Sequence, residues 1–460
     1  MTDYKTTVFL PQTDFPLRAG LAQKEPEILA LWQKMGLGAK LQAANAGKTP
    51  FVLHDGPPYA NGAMHLGHAL NKILKDVVNR TRRMMGHHVH FVPGWDCHGL
   101  PIEWKIEQDY RKQGRSRHEI STAEMIGACR SFAAHWIGVQ KKDMMRIGVD
   151  GDWENTYTTM DKEAESVIVS EIHKFLMADM LYRADRPVMW SVIEQTSLAE
   201  AEIEYHDHKS ATVWVRFPVK SSPLSALEGA NIIIWTTTPW TLPANQAVAC
   251  GPEMEYAVYT VAETGEKLVL ATALAESVKA AAKVEAWTKS ESFTGKQLEN
   301  TVCRHPLHDQ GYGEDRPLWM ADFVTTDAGT GFVHIAPSHG ADDFFLGKQH
   351  SVELTHCVGP DGVYYDSVPL FAGKRILTPD GKEGDANGAV IKAIAEAGGL
   401  LAKSSIVHSY PHSWRSKAPV IFRCTPQWFV ALDKPLAHLG GETLRQRALN
   451  EIRNNVRWIP

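Results

Sequence analysis

The sequence predicts an α/β fold in which a parallel sheet is interrupted by a β-rich insertion, and three observations support this. Short apolar runs alternate with helical apolar spacing up to residue 186, which favours a parallel sheet with ligands at the carboxyl ends of its strands. From residue 187 to about residue 375, strand-like runs recur between turn residues, which indicates a barrel or sandwich. At 460 residues, the chain is also too long for a single core.

Composition indicates an ordinary globular protein, with 44% hydrophobic and 22% charged residues. The chain has no apolar run of about 18 residues that could span a membrane, and Met1–Lys5 lacks the apolar core of a signal peptide. We therefore expect a cytoplasmic protein with no membrane contact. The six cysteines are far apart and form no Cys-x-x-Cys pair, which suggests reduced thiols. A net charge of −5 leaves RNA binding to local basic patches, such as residues 79–83 and 445–453.

The helices and strands are predicted in chain order from periodicity. Glu25–Met35 has a helical apolar face, and the run Thr49–Leu53 predicts a strand. His87 opens a second predicted strand, which ends in a Gly/Pro-rich loop. The three histidines His87, His88 and His90 have no acidic or cysteine cluster beside them, so we predict no metal there. Arg130–Met145 and Lys162–Met177 predict helices. The β-like region includes the alternating runs at residues 187–193 and 210–219.

The stretch His54–His68 organises the first part of the chain. After the predicted strand come the turn formers Gly56, Pro57, Pro58, Asn61 and Gly62, and then a segment with helical apolar spacing. His65 and His68 fall at the start of this helix, where unpaired N–H groups and the positive dipole end favour anions. Gly67 has no side chain to keep a nucleotide away. These features predict a nucleotide site, although a bare His-x-Gly-His also occurs as helix-capping or surface histidines.

The full string Gly56-Pro-Pro-Tyr-Ala-Asn-Gly62 followed by His65-Leu-Gly-His68 resembles the first signature of the class I aminoacyl-tRNA synthetases. Within that class it resembles the isoleucine-specific members, with the valine and leucine members as close alternatives. The resemblance implies a Rossmann-like catalytic domain and ATP with Mg²⁺ as substrate. It implies that ATP is bound by Gly56, Tyr59, Asn61, His65, Gly67 and His68. His65, Gly67 and His68 are the implied catalytic residues.

The loop Gly94–Glu103 and the segment His408–Phe429 also resemble this family. By the resemblance, Asp96 holds the α-ammonium of the amino acid, a strong charge-assisted contact. Pro57 lines the pocket for the amino-acid side chain, and Trp428 walls it. Taken alone, Asp96 could cap a helix and Trp428 could simply be core.

Two stretches in the β-rich region, Ile232–Asn245 and Gly329–Asp343, resemble the editing domain of the isoleucine, valine and leucine synthetases. Taken alone, their threonines are strand formers and their acidic pair is ordinary loop sequence. The resemblance implies that the adenosine end and a water are held by Thr236, Thr237, Thr238 and Asn245. It also implies that His334 and Asp343 shape the pocket, with Asp343 on the amino group. Editing has a physical reason, because one methylene is worth only about 1–3 kcal/mol in a hydrophobic pocket, and isoleucine against valine is the standard worked example.

The chain departs from many relatives after Trp190, where Ser191–Ser197 contains none of the zinc-binding cysteines that they carry, so no zinc is expected there. The predicted division is an arm at 1–48, the first half of the catalytic domain at 49–186, an inserted β-barrel-like editing domain at 187–407, and the start of the second catalytic half at 408–460. The second family signature, Lys-Met-Ser-Lys-Ser, is absent. We therefore expect the chain to be the amino-terminal part of such an enzyme and to have little or no synthetase activity.

The function implied by the resemblance is ATP-dependent joining of L-isoleucine to tRNA(Ile), with hydrolysis of valine-charged tRNA(Ile), by a monomer. Two alternatives stay open: a free-standing hydrolase of mischarged tRNA, and a non-catalytic tRNA-binding remnant.

Overall fold

The computed structural model describes residues 4–9 and 20–459. Parts of the predicted arm (residues 1–3 and 10–19) and the last residue of the segment 408–460 lie outside the described residues. The chain divides into two compact units, Met1–Ala178 and Asp179–Pro460.

The first unit is mainly helical in its described part. Its helices are α1 (Leu21–Met35), α2 (Leu37–Asn45), α3 (Leu66–Met84), α4 (Leu100–Lys112), α5 (Thr122–Arg146) and α6 (Lys162–Met177), and its short strands are β1 (Gly94–Trp95) and β2 (Tyr157–Thr158). The three helices predicted from apolar periodicity, at 25–35, 130–145 and 162–177, are confirmed. Two of them begin earlier than predicted, α1 by four residues and α5 by eight.

Three extended segments of the first unit run parallel to one another, as predicted. Strand β1 pairs in parallel with β2. On its other side, parallel bridges join Pro50 to His88 and Tyr59 to Asp96. The predicted strand Thr49–Leu53 is therefore only a single bridge, in which the Phe51 N–H donates to the His88 carbonyl and the His88 N–H donates to the Thr49 carbonyl. The bridge places Tyr59 and Asp96 side by side at the carboxyl ends of their segments, where a parallel sheet binds its ligands.

The second unit is built on strands. They are β3 (Leu181–Ser191), β4 (Thr196–Ser197), β5 (Ile203–Ser221), β6 (Ala230–Thr236), β7 (Ala247–Cys250), β8 (Glu255–Val261), β9 (Lys267–Ala271), β10 (Trp287–Thr294), β11 (Val302–Arg304), β12 (Asp315–Met320), β13 (Phe332–Ile335), β14 (Leu400–Ser413) and β15 (Ile421–Val430). Its helices are α7 (Ala275–Ala282), α8 (Ala341–Gln349), α9 (Ala386–Glu396) and α10 (Leu444–Asn454).

Ten of these strands form one mixed sheet in the order β10-β8-β9-β6-β5-β11-β12-β7-β13, with β14 also paired to β5. The pairs β6–β9 and β7–β12 are parallel, and the other pairs are antiparallel. The predicted barrel-like insertion is not confirmed: the path is open, because among the described residues its end strands β10 and β13 each pair with a single strand. Strands β15, β3 and β4 form a separate three-stranded sheet.

The core of the second unit lies on the central strands, where Ile232, Ile234, Phe217 and Phe332 are almost fully buried. The buried residues on β5, β6 and β13 hold these strands in place. Thr236 is the last residue of β6 and His334 lies on β13, so this core also holds the predicted threonines and histidine. No helix within residues 4–9 and 20–459 is both long and apolar enough to cross a membrane.

Candidate functional site

The two histidines of the first signature form the amino-terminal cap of α3. His65 is the capping residue, and its Nδ1 accepts a hydrogen bond from the backbone N–H of His68 (3.3 Å). In return, the His68 Nδ1 accepts from the backbone N–H of His65 (3.4 Å), and the two rings stack with 3.8 Å between their centroids. Burial lowers the pKa of His68, and the neighbouring His65 and Lys72 lower it further. An anion bound at this helix end would offset that repulsion.

Gly67 is required by the position of the His65 ring. A Cβ at residue 67 would lie 2.9 Å from His65 Cε1 and 3.0 Å from its Nδ1. Any other side chain would therefore push the imidazole out of its capping position. The glycine predicted to leave room for a nucleotide thus also leaves room for the histidine.

The loop of the first signature lies directly beside Asp96. The Ala60 N–H donates to the Asp96 carbonyl (3.0 Å), and the Asp96 N–H donates to the Pro58 carbonyl (2.9 Å). The Asp96 carboxylate accepts from the backbone N–H of His98 (3.2 Å) and from the Thr159 hydroxyl (3.4 Å). The structure therefore brings the predicted ammonium ligand next to the predicted ATP-binding loop.

The other predicted residues of this loop face solvent to different degrees. Gly56, Tyr59 and Asn61 are exposed, and Pro57 is half-buried. Trp428 lies on β15 of the second unit, where 66% of it is exposed. Its role as a wall of the amino-acid pocket stays a prediction.

A buried ion-pair cluster that the sequence did not reveal lies below the signature. The Asp55 carboxylate contacts the ammonium groups of both Lys72 and Lys75 on α3. Lys72 is one of only two described residues that α3 buries. One carboxylate between two lysines leaves net positive charge close to the His68 end of α3, which further suits the site to an anion.

The buried amide of Gln140 on α5 was also missed. Its Nε2 donates to the carbonyls of Tyr59 (3.0 Å) and Gly62 (2.8 Å), and its Oε1 accepts from the indole N–H of Trp95 (3.1 Å). Gln140 is more than 75 residues from this loop in sequence, and nothing in its local pattern pointed to it.

In the second unit, most of the residues predicted for editing form one hydrogen-bonded cluster. The hydroxyls of Thr236 and Thr238 lie 3.2 Å apart. Thr241, which sequence reasoning missed, donates to the Thr238 carbonyl (2.8 Å), and its oxygen lies 2.9 Å from His334 Nε2. The Asn245 amide nitrogen lies 3.4 Å from the other ring nitrogen of His334. Thr241 stands three residues after Thr238 in the same run, so this spacing was the available signal.

These contacts assign the state of His334. Because the Thr241 hydroxyl donates elsewhere, His334 Nε2 carries the proton and Nδ1 accepts from Asn245. Burial lowers the pKa of His334 to about 4, with a smaller contribution from His339. The ring is therefore neutral at physiological pH. The Asn245 Oδ1 is buried without a protein partner, which leaves an acceptor available in this cluster.

Asp343 lies in the first turn of α8, close to the end of the His334 strand. Its Oδ2 accepts from the Ala336 N–H (2.8 Å), and its carboxyl group packs against Gly340, where a Cβ would lie 2.9 Å from Asp343 Cγ. Burial raises the pKa of Asp343 to about 6. A carboxylate that is costly to ionise gains strongly from a cationic partner such as an ammonium.

Thr237 stands apart from this hydrogen-bonded cluster. With Thr238 it lines a cavity of about 40 Å³, together with His208, Ser210, Glu383 and Tyr410. Within the described residues, no group of three His, Cys, Asp or Glu side chains could hold a metal ion.

The chain is similar in sequence to curated isoleucine--tRNA ligases. The chain is 52% identical over 474 residues to the isoleucine--tRNA ligase of Caulobacter vibrioides, covering 98% of this chain and 48% of that protein. It is 49% identical over 486 residues to the isoleucine--tRNA ligase of Bradyrhizobium diazoefficiens, covering 100% of this chain and 48% of that protein. The chain thus spans about half the length of the curated relatives it matches.

Among solved structures, the chain matches LeuRS from Agrobacterium radiobacter K84 in a ternary complex with tRNA and LeuAMS, at 20% identity and a TM-score of 0.34. This match covers 86% of this chain and 48% of that one. Residues 27–460 match the family described as tRNA synthetases class I (I, L, M and V). The chain therefore belongs to the class I tRNA synthetase family.

Proposed function

We propose that this chain carries the amino-acid-activating and editing sites of an isoleucine--tRNA ligase. The observation that carries the proposal is the identity of about 50% to isoleucine--tRNA ligases across nearly the whole chain. The proposed partners are L-isoleucine, ATP with Mg²⁺ and tRNA(Ile), and the proposed state is a monomer.

Activation is proposed to occur at the carboxyl ends of the parallel segments. His65 and His68 contact the phosphates of ATP, Gly67 lets the nucleotide approach, and Gly56, Tyr59 and Asn61 hold the adenosine. Asp96 fixes the isoleucine ammonium, and Pro57 contacts its side chain. The isoleucine carboxylate oxygen then bonds to the α-phosphorus as the bond from that phosphorus to the leaving pyrophosphate breaks. Mg²⁺ enters with the triphosphate as part of the substrate.

The support for this step is positional. The helix end supplies unpaired N–H groups and two imidazoles, the Asp55 cluster adds positive charge, and backbone hydrogen bonds hold Asp96 beside the loop. Such an arrangement accelerates the reaction through orientation and electrostatics, without a covalent enzyme intermediate. Because the Lys-Met-Ser-Lys-Ser signature is absent from the sequence, we propose that the chain alone activates isoleucine slowly or not at all.

Editing is proposed to occur in a domain at residues 187–407, inserted between catalytic segments at 49–186 and 408–460, with an arm at 1–48. The cluster of Thr236, Thr238, Asn245 and His334 would hold the terminal adenosine and a water, with Thr237 beside it. Asp343 would pair with the ammonium of the misattached valine. The unpartnered Asn245 Oδ1 supports this, because it offers an acceptor to a water or hydroxyl.

Hydrolysis of valine-charged tRNA(Ile) by the purified chain tests the editing half, with isoleucine-charged tRNA(Ile) and an Asp343→Ala variant as controls. Valine release that spares isoleucine and is lost in the variant is expected. Isoleucine-dependent exchange between ATP and pyrophosphate tests the activating half. Release with slow or no exchange is expected both from this proposal and from a free-standing hydrolase, and exchange at full rate would contradict the proposal that the chain alone activates isoleucine slowly or not at all. Neither activity in a folded chain would favour a tRNA-binding remnant.

A further inference from the structure

The buried face of α5 contains one polar side chain. Its buried residues are Ala133, Gln140 and Met144, which share one side of the helix, and Gln140 is 1% exposed. The large majority of polar side chains that are buried this completely use their hydrogen-bonding groups. In Gln140 they are used on backbone and side-chain groups of the first signature loop and its neighbouring strand.

The three bonds of Gln140 join two separate segments. Its amide nitrogen donates to the carbonyls of Tyr59, in the middle of the loop, and Gly62, at its end, and its oxygen accepts from the indole of Trp95, which is 0% exposed. Trp95 immediately precedes Asp96. One rigid, planar amide therefore spans the loop proposed to hold adenosine and the residue proposed to hold the amino-acid ammonium.

We propose that Gln140 is a positioning residue, which sets the separation between the 56–62 loop and Asp96 for formation of the adenylate. This inference rests on the proposed function. The loop is rich in glycine and proline and pairs with the Asp96 segment through the Ala60 and Asp96 N–H groups, so the bonds from Gln140 add a restraint that helps to define its geometry before the ligand arrives. Pre-organisation of this kind lowers the ordering cost of binding.

The test compares Gln140→Met with Met144→Leu. Methionine has nearly the length of glutamine but can replace none of its three hydrogen bonds, whereas Met144→Leu repacks the same buried face without touching them. The first readout is amide hydrogen exchange at Ala60 and Asp96, whose N–H groups pair the two segments. Exchange about tenfold faster in Gln140→Met, with no change in Met144→Leu, is expected. Unchanged exchange in both variants, or an equal rise in both, would overturn the inference.

The second readout is affinity for a sulfamoyl analogue of isoleucyl-adenylate, which reaches both segments, compared with affinity for ATP alone. We expect Gln140→Met to weaken analogue binding about tenfold, or about 1.4 kcal/mol, and to weaken ATP binding less. Faster exchange with unchanged analogue affinity would show that Gln140 is merely structural and would overturn the inference.

The two readouts separate this inference from the function it rests on. If the unaltered chain does not bind the analogue, the proposed function fails for this chain. The exchange measurement still decides whether Gln140 holds the loop against the Asp96 segment.

Discussion

Replacing Gly67 with alanine should impair nucleotide binding while leaving stability almost unchanged. The new Cβ would lie 2.9–3.0 Å from the His65 ring, so the imidazole must shift, and we expect it to lose its bond to the His68 N–H. Loss of an amino-terminal cap costs about 1 kcal/mol, whereas alanine in place of a helical glycine gains about 0.5–1 kcal/mol. The two effects nearly cancel in the free energy of unfolding.

Nucleotide binding has no such compensation. A hydrogen bond from His65 to a phosphate is worth about 1.5–3 kcal/mol, so the ATP affinity of Gly67→Ala should fall about tenfold or more. Calorimetric titration with ATP measures this, and urea unfolding measures stability. The matched control is Gly127→Ala on α5, where no atom lies within 4 Å of the added Cβ. That variant should gain about 0.5–1 kcal/mol in stability and bind ATP as the unaltered chain does.

A double variant isolates the steric mechanism. In a His65→Ala background there is no ring to displace, so Gly67→Ala should then stabilise the chain as Gly127→Ala does and should weaken ATP binding no further. If Gly67→Ala in the unaltered background stabilises as much as the control and leaves ATP affinity intact, the placement of His65 over Gly67 is wrong.

Three further outcomes are expected. The rate of deacylation of valine-charged tRNA(Ile) should rise with pH through about 6, because burial raises the pKa of Asp343 to about 6 and only its carboxylate pairs with an ammonium. Profiles of the deacylation rate against pH measure this. A profile with the same midpoint in Asp343→Asn would contradict it. Asp96→Asn should weaken isoleucine binding about tenfold or more and spare ATP, as calorimetry with each ligand would show, because the amide keeps the shape but not the charge. Burial lowers the pKa of His305 to about 3, so the unfolded chain binds one more proton between the folded pKa and the ordinary value of 6.5. The contribution of His305 to the free energy of unfolding should therefore fall by about 1.4 kcal/mol per pH unit below that value, and urea titrations at about pH 5 and about pH 6 should show this contribution missing from His305→Gln.

Family membership and much of the helical framework could be predicted from the sequence. The helices α1, α5 and α6 followed from apolar spacing, because helical periodicity is a local property of the chain. The position of His65 and His68 at the start of α3 was also predictable, since turn formers and an amphipathic run stand on either side of them. The strand predicted at Thr49–Leu53 was reduced to one bridge at Pro50, and the barrel-like closure of the insertion is not confirmed, because strand pairing depends on segments far apart in the chain.

By itself, then, the sequence determined the family, the two histidines at the start of α3 and the run of threonines, which are local patterns. Only the tertiary structure showed how distant side chains complete each candidate site. Gln140 reaches Tyr59 across 81 positions, and Thr241 reaches His334 across 93. These partners have no local signature, because a buried hydrogen bond depends on which surfaces meet in the folded chain and on how completely they exclude water.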